Sequence, residues 1–171
     1  MNIGFADVAF ILIAGFTLLT ALGVVLLRNI VHSAIMLVFS FLGVAGIYFT
    51  LNAGFLGLVQ IMVYAGAISV LIIFAIMLVM KDDPEKTNLP SPNIPNILSG
   101  GYLTALLVAA LVGSIWFTKF PVKVVPASGD DLGILANLML GDYVIPFEVA
   151  AVLLLVAVVG AIILAKGADQ K

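Results

Sequence analysis

The chain has 171 residues, of which 64% are hydrophobic and only 9% charged, with a net charge of −2 and a mean hydropathy of +1.31. A soluble domain carries about 25% charged residues, so this composition describes an integral membrane protein whose main solvent is the lipid bilayer. With no Cys and a single His, disulfides, thiolate metal sites, iron–sulfur clusters and bis-His haem within the chain are excluded. The net charge gives no footing for a nucleic-acid partner, and no glycine-rich phosphate cradle is present.

Five apolar runs are long enough to cross a bilayer, which takes about 20 residues as a helix. They are roughly Phe5–Leu27, Ile30–Leu51, Phe55–Met80, Leu98–Thr118 and Val144–Ala165. None alternates with period two, and lipid-exposed backbone must satisfy its own hydrogen bonds, so each is predicted to be a helix. The expected fold is all-α, a single membrane domain over residues 1–171 with five transmembrane helices. The first run has no basic stretch before it and no small-residue cleavage pattern after it, so it reads as a span rather than a signal peptide.

In chain order, Arg28-Asn29 and Asn52-Ala53-Gly54 are very short links, which make the first three helices antiparallel neighbours. The third connection, Lys81–Ile97, holds Pro84, Pro90, Pro92 and Pro95 and reads as an extended polar loop. The fourth, Lys119–Tyr143, contains Pro121, Pro126, Asp130 and Asp131. Within it Leu132, Leu135, Leu138 and Met139 recur at near-helical spacing, so a short helix is expected there, at the membrane surface or against a partner. Pro146 falls in the first turn of the last helix, where a missing N–H costs little. Arg28, Lys81, Lys86, Lys166 and Lys171 fall on one side of the membrane and Lys119 and Lys123 on the other. The basic excess puts the first side in the cytoplasm, with the N-terminus outside and the C-terminus inside.

The third run carries the most information. Its 26 or so uncharged residues would make a helix about 39 Å long, more than a hydrocarbon core of about 30 Å needs. Tyr64-Ala65-Gly66-Ala67, followed by Ser69, offers a place for an irregularity, since Gly66 costs about 1 kcal/mol of helix propensity relative to Ala. Tyr64 brings a mid-span hydroxyl that needs a partner, and Gln60, one α-helical turn earlier, is expected to face a similar way and, like Glu148, is a candidate for a proton path or a subunit contact. Glu148 is the carboxylate best placed to enter a span, about one turn inside the last helix. It is either an interfacial anchor or subunit contact at a helix N-terminus, or part of a proton path. Asp7 takes the interfacial explanation, Arg28 that of a topology anchor, and His32 that of a structural residue beside it. Gly43 with Gly46, and Ala157 with Gly160 and Ala161, mark packing faces, and Trp116 and Phe117 an aromatic belt. A self-contained pump shows several intramembrane charges. This chain reads instead as a subunit that shapes or gates something owned by its neighbours.

Three segments resemble one known family. VQIMVYAGAI at Val59–Ile68, continued by Val70–Leu78, is similar to the third helix of the J-type subunit of respiratory complex I, NADH-quinone oxidoreductase, the counterpart of mitochondrial NADH dehydrogenase subunit six. Gly23–Ala34 is similar to that family's first hairpin, and Tyr143–Ala150 through Gly160 to its last helix. The resemblance implies a non-catalytic subunit in the membrane arm of a proton-pumping translocase of the respiratory chain, in the cell's inner (plasma) membrane or an equivalent energy-converting membrane. Its implied partners are the quinone-site subunit, the small K-type subunit and the antiporter-like subunits. No cofactor is expected in this chain, with flavin, iron–sulfur clusters and quinone in other subunits. It further implies a π-bulge in helix three at Val63, Tyr64, Ala65, Gly66, Ala67 and Ile68, acting as a gate that couples quinone reduction to proton transfer. The alternative is a small subunit of a multi-subunit cation/proton antiporter, a group that also resembles complex I membrane parts.

Overall fold

A computed structural model of the chain describes residues 4–79, 94–119 and 131–167. Lys81, Lys86, Pro84, Pro90, Pro92, Pro121, Lys123, Pro126, Asp130 and Lys171 lie outside the described residues. The described elements are helices: α1 (Phe5–Leu26), α2 (Ile30–Thr50), α3 (Gly54–Val79), α4 (Ile94–Phe117), α5 (Asp131–Leu140) and α6 (Val144–Gly167). All but α5 are long and apolar enough to cross a membrane. The chain forms two compact units, Met1–Lys119 and Phe120–Lys171.

In the first unit α2 is the central element, packing against α1 and against α3. Small side chains make this close approach feasible. A Cβ added at Gly43 would collide with Thr17 Oγ1 and lie 3.2 Å from the Thr17 Cα, and one at Gly46 would meet Ile13 Cγ2 at 2.9 Å. On the α3 side, a Cβ at Gly57 would meet the Phe49 ring at 2.9 Å. Lipid tails are as apolar as leucine, so such van der Waals fit, rather than apolar burial, drives helices together in a bilayer. Ala34 and Ala45 are buried on α2 for the same reason.

The links end helices with specific chemistry. Asn29 Oδ1 accepts from the backbone N–H groups of Val31 at 2.9 Å and His32 at 3.4 Å, capping α2. At the other end, Asn52 takes φ +58°, a left-handed conformation that Asn tolerates better than most residues. The Ala53 N–H donates to Tyr48 O at 2.9 Å and the Asn52 N–H to Phe49 O at 3.2 Å. These two bonds are the Schellman arrangement, which satisfies the last carbonyls of α2 and turns the chain into α3. Asp7 Oδ2 accepts from the Gly4 N–H at 2.9 Å, in keeping with an interfacial role at the start of α1.

The expected loop Lys81–Ile97 is corrected at its end, because α4 starts at Ile94. Pro95 is then the second residue of the helix, where it has no N–H partner to lose, so it permits the first turn instead of breaking it. In the second unit α5 is the short helix foreseen between the fourth and fifth spans. It turns into α6 through Gly141–Tyr143, with the Tyr143 N–H donating to Leu138 O at 2.9 Å. No side chain of α6 is buried.

Candidate functional site: the π segment of α3

Between Gln60 and Ile68 the backbone of α3 is wound as a π-helix, flanked by α-helical Gly54–Val59 and Ser69–Val79. Val63, Tyr64, Ala65, Gly66, Ala67 and Ile68 all fall in this segment, which begins three residues earlier, at Gln60.

The winding decides which side chains face the bundle. The buried residues of α3 are Gly57, Gln60, Ala65 and Ser69. Successive members are three, five and four residues apart. An α-helix returns to one face after three or four residues; a five-residue step needs the i→i+5 winding of a π-helix. Gln60 is 8% exposed, and the next buried position on this face is Ala65 rather than Tyr64. Tyr64 is 45% exposed, with its ring in an edge-to-face contact with Phe41 of α2 at a centroid distance of 5.6 Å. Val63, Ala67, Ile68, Val70 and Leu71 lie on the exposed side.

Two residues fit this backbone closely. A Cβ at Gly66 would stand 3.2 Å from the Ile61 carbonyl oxygen, five residues back. Ser69, 1% exposed, donates from Oγ to the Tyr64 carbonyl oxygen at 2.7 Å. The Ser69 backbone N–H reaches the carbonyls of Tyr64 and Gly66. Ser69 marks the point where the winding returns to α. Sequence reasoning noted it only as a small residue; its signal was a hydroxyl soon after the glycine in an otherwise apolar run.

The remaining candidates lie elsewhere. Glu148 is exposed near the start of α6, in the second unit. Arg28 and His32 are at the α1–α2 turn, where with Leu27 and Asn29 they line an open cleft. Gly43 and Gly46 pack α2 on α1, whereas a Cβ at Gly160 would meet open space. Trp116 and Phe117 are exposed at the end of α4.

Five helices long and apolar enough to span, with an irregular winding in the third, define a multi-pass membrane protein. The chain belongs to the family of NADH-ubiquinone/plastoquinone oxidoreductase chain 6, whose model matches residues 20–164. It is 42% identical over 161 residues to NAD(P)H-quinone oxidoreductase subunit 6 of the Paulinella chromatophora chromatophore, covering 93% of this chain and 77% of the relative. It is 41% identical over 164 residues to NAD(P)H-quinone oxidoreductase chain 6 of Synechocystis, covering 95% and 82%. It is 36% identical over 163 residues to F(420)H(2) dehydrogenase subunit J of Methanosarcina mazei, covering 94% and 90%. The family resemblance drawn from helix three is thereby borne out.

Proposed function

We propose that this chain is a membrane-arm subunit of a complex I-type, proton-pumping quinone oxidoreductase, and that α3 is a two-state gate coupling quinone reduction to proton translocation. Its neighbours are the quinone-site subunit, the K-type subunit and the antiporter-like subunits, in the inner (plasma) membrane or its equivalent. The N-terminus lies outside and the C-terminus in the cytoplasm. The chain supplies no catalytic residue and holds no cofactor; flavin, iron–sulfur clusters and quinone belong to other subunits. Glu148 serves as a contact to a neighbouring subunit.

The observation that carries the reading is the π winding of Gln60–Ile68. The π-wound segment carries one residue more than α winding would place over the same stretch, seen in the single five-residue step from Gln60 to Ala65. Conversion to α winding rotates the remainder of the helix by about 100°, one residue's turn. Val70 and Leu71, exposed in the π-wound form, then change face and block or clear a water chain beside a neighbour's carboxylates. No charge on α3 is needed.

Gly66 tests this directly. A β-branched side chain there is pressed against the Ile61 carbonyl in the π-wound form. Gly66→Val in a fully assembled complex is expected to lower the number of protons moved per quinone reduced. Unchanged pumping and quinone reduction in that variant would contradict the gate.

A further inference from the structure

We infer that Ser69 is the residue that holds the π winding of α3, and that its hydroxyl sets the balance between the two windings. This rests on the two-state reading of α3 given above.

Hydroxyls in apolar helices ordinarily bond back three or four residues along their own backbone. Thr17 donates to Ile13 O at 2.7 Å, Thr20 to Phe16 O at 3.0 Å and Thr17 O at 3.0 Å, Thr50 to Ile47 O at 2.7 Å, and Thr104 to Gly100 O at 2.8 Å. Ser69 reaches five residues back, to Tyr64 O. That acceptor comes within reach of the hydroxyl because the intervening backbone is π-wound.

The bond matters because of where it falls. Where a π segment returns to α winding, the hydrogen-bond ladder changes step, and the carbonyls at the junction lose a regular partner. Here the Ser69 N–H reaches the carbonyls of Tyr64 and Gly66, and the hydroxyl adds a second bond to Tyr64 O at 2.7 Å, in a site 1% exposed. Both bonds from Ser69 to Tyr64 O span five residues and so belong to the π winding alone. In the α-wound form that acceptor is out of step, and the hydroxyl is left with a back-bond of the three- or four-residue kind that the threonines make. The same side chain therefore reinforces the Ser69–Tyr64 junction only while the segment is π-wound. Ser69 acts as a positioning residue, and its removal favours α winding without altering any group that meets protons or quinone.

The test uses the assembled, membrane-extracted complex, imaged by electron cryomicroscopy under turnover and sorted by the winding of residues 60–68. Ser69→Ala removes the hydroxyl at little change of volume, and Ser69→Cys replaces it with a weaker donor. Thr20→Ala is the control, since Thr20 is also buried and back-bonded but lies on α1. The ratio of π-wound to α-wound particles is expected to fall about fivefold in Ser69→Ala, the size of one net hydrogen bond, less in Ser69→Cys, and not in Thr20→Ala. An unchanged ratio in Ser69→Ala overturns the inference while leaving the gate standing; should that variant not assemble, an unchanged ratio in Ser69→Cys does so. A shifted ratio with normal proton yield per quinone supports the role of Ser69 and overturns the gate. If the native complex is wholly π-wound, α-wound particles must appear in Ser69→Ala, and their absence overturns the inference.

Discussion

Gln60 and Tyr64 stand four residues apart on one helix, yet Gln60 is buried and Tyr64 is half-exposed, its ring in an edge-to-face contact with Phe41 of α2. The step from Gln60 to Ala65, not to Tyr64, keeps the buried face continuous. In the proposed gate the helix has two ways to present its surface, and residues beyond the π segment report which one is in force. Because the chain contains no native Cys, single cysteines in it make clean probes. Val70→Cys and Leu71→Cys, both at exposed positions, are expected to change severalfold in thiol-reagent labelling between rest and turnover of the assembled complex. Phe55→Cys, on the α-helical stretch before the π segment, is expected to label equally in both conditions.

The α2–α3 turn depends on a backbone conformation that few side chains adopt. With Asn52 at φ +58°, Asn52→Val is expected to destabilise the fold by about 1–2 kcal/mol, the cost of a left-handed residue bearing a Cβ. Asn52→Gly is expected to be close to neutral, since Gly carries no such penalty. Unfolding of the detergent-solubilised protein measures both. Equal stability of the Val and Gly variants would show that the turn relaxes out of the left-handed region.

Glu148 separates anchoring from proton conduction. It sits about one turn into α6, where the helix N-terminus favours negative charge, and the proposal makes it a contact to a neighbouring subunit. Glu148→Gln is expected to reduce the yield of assembled complex severalfold while leaving protons moved per quinone unchanged in what assembles. Normal yield with lost pumping would place this carboxylate on the proton route instead.

The spans were legible because each apolar run is uniform and longer than a bilayer needs, and because Asn29 and Asn52 sit at helix ends with side chains suited to them. The start of α4 was not: proline-rich sequence reads as loop, but Pro95 occupies a first-turn position where it costs nothing. Helix three shows the same division. Gly66 flagged an irregularity, and Val63–Ile68 covered its last six residues. Its beginning at Gln60 was invisible, because π winding has no composition of its own and the residues that enter it are as apolar as their neighbours. The different burial of Gln60 and Tyr64 was not legible for that reason, since an α-helical period was applied across a stretch that does not keep it. Ser69 was overlooked because its acceptor, the Tyr64 carbonyl, is a backbone atom whose position depends on the winding.

The most direct measurement is the hydrogen-bond pattern of residues 60–68 in the native assembled complex, determined at rest and again during steady quinone reduction. Two populations are expected, one π-wound with the Ser69 hydroxyl on Tyr64 O and one α-wound, in proportions that shift with turnover. A single unchanging winding of this segment in both conditions would contradict the coupling role assigned to α3.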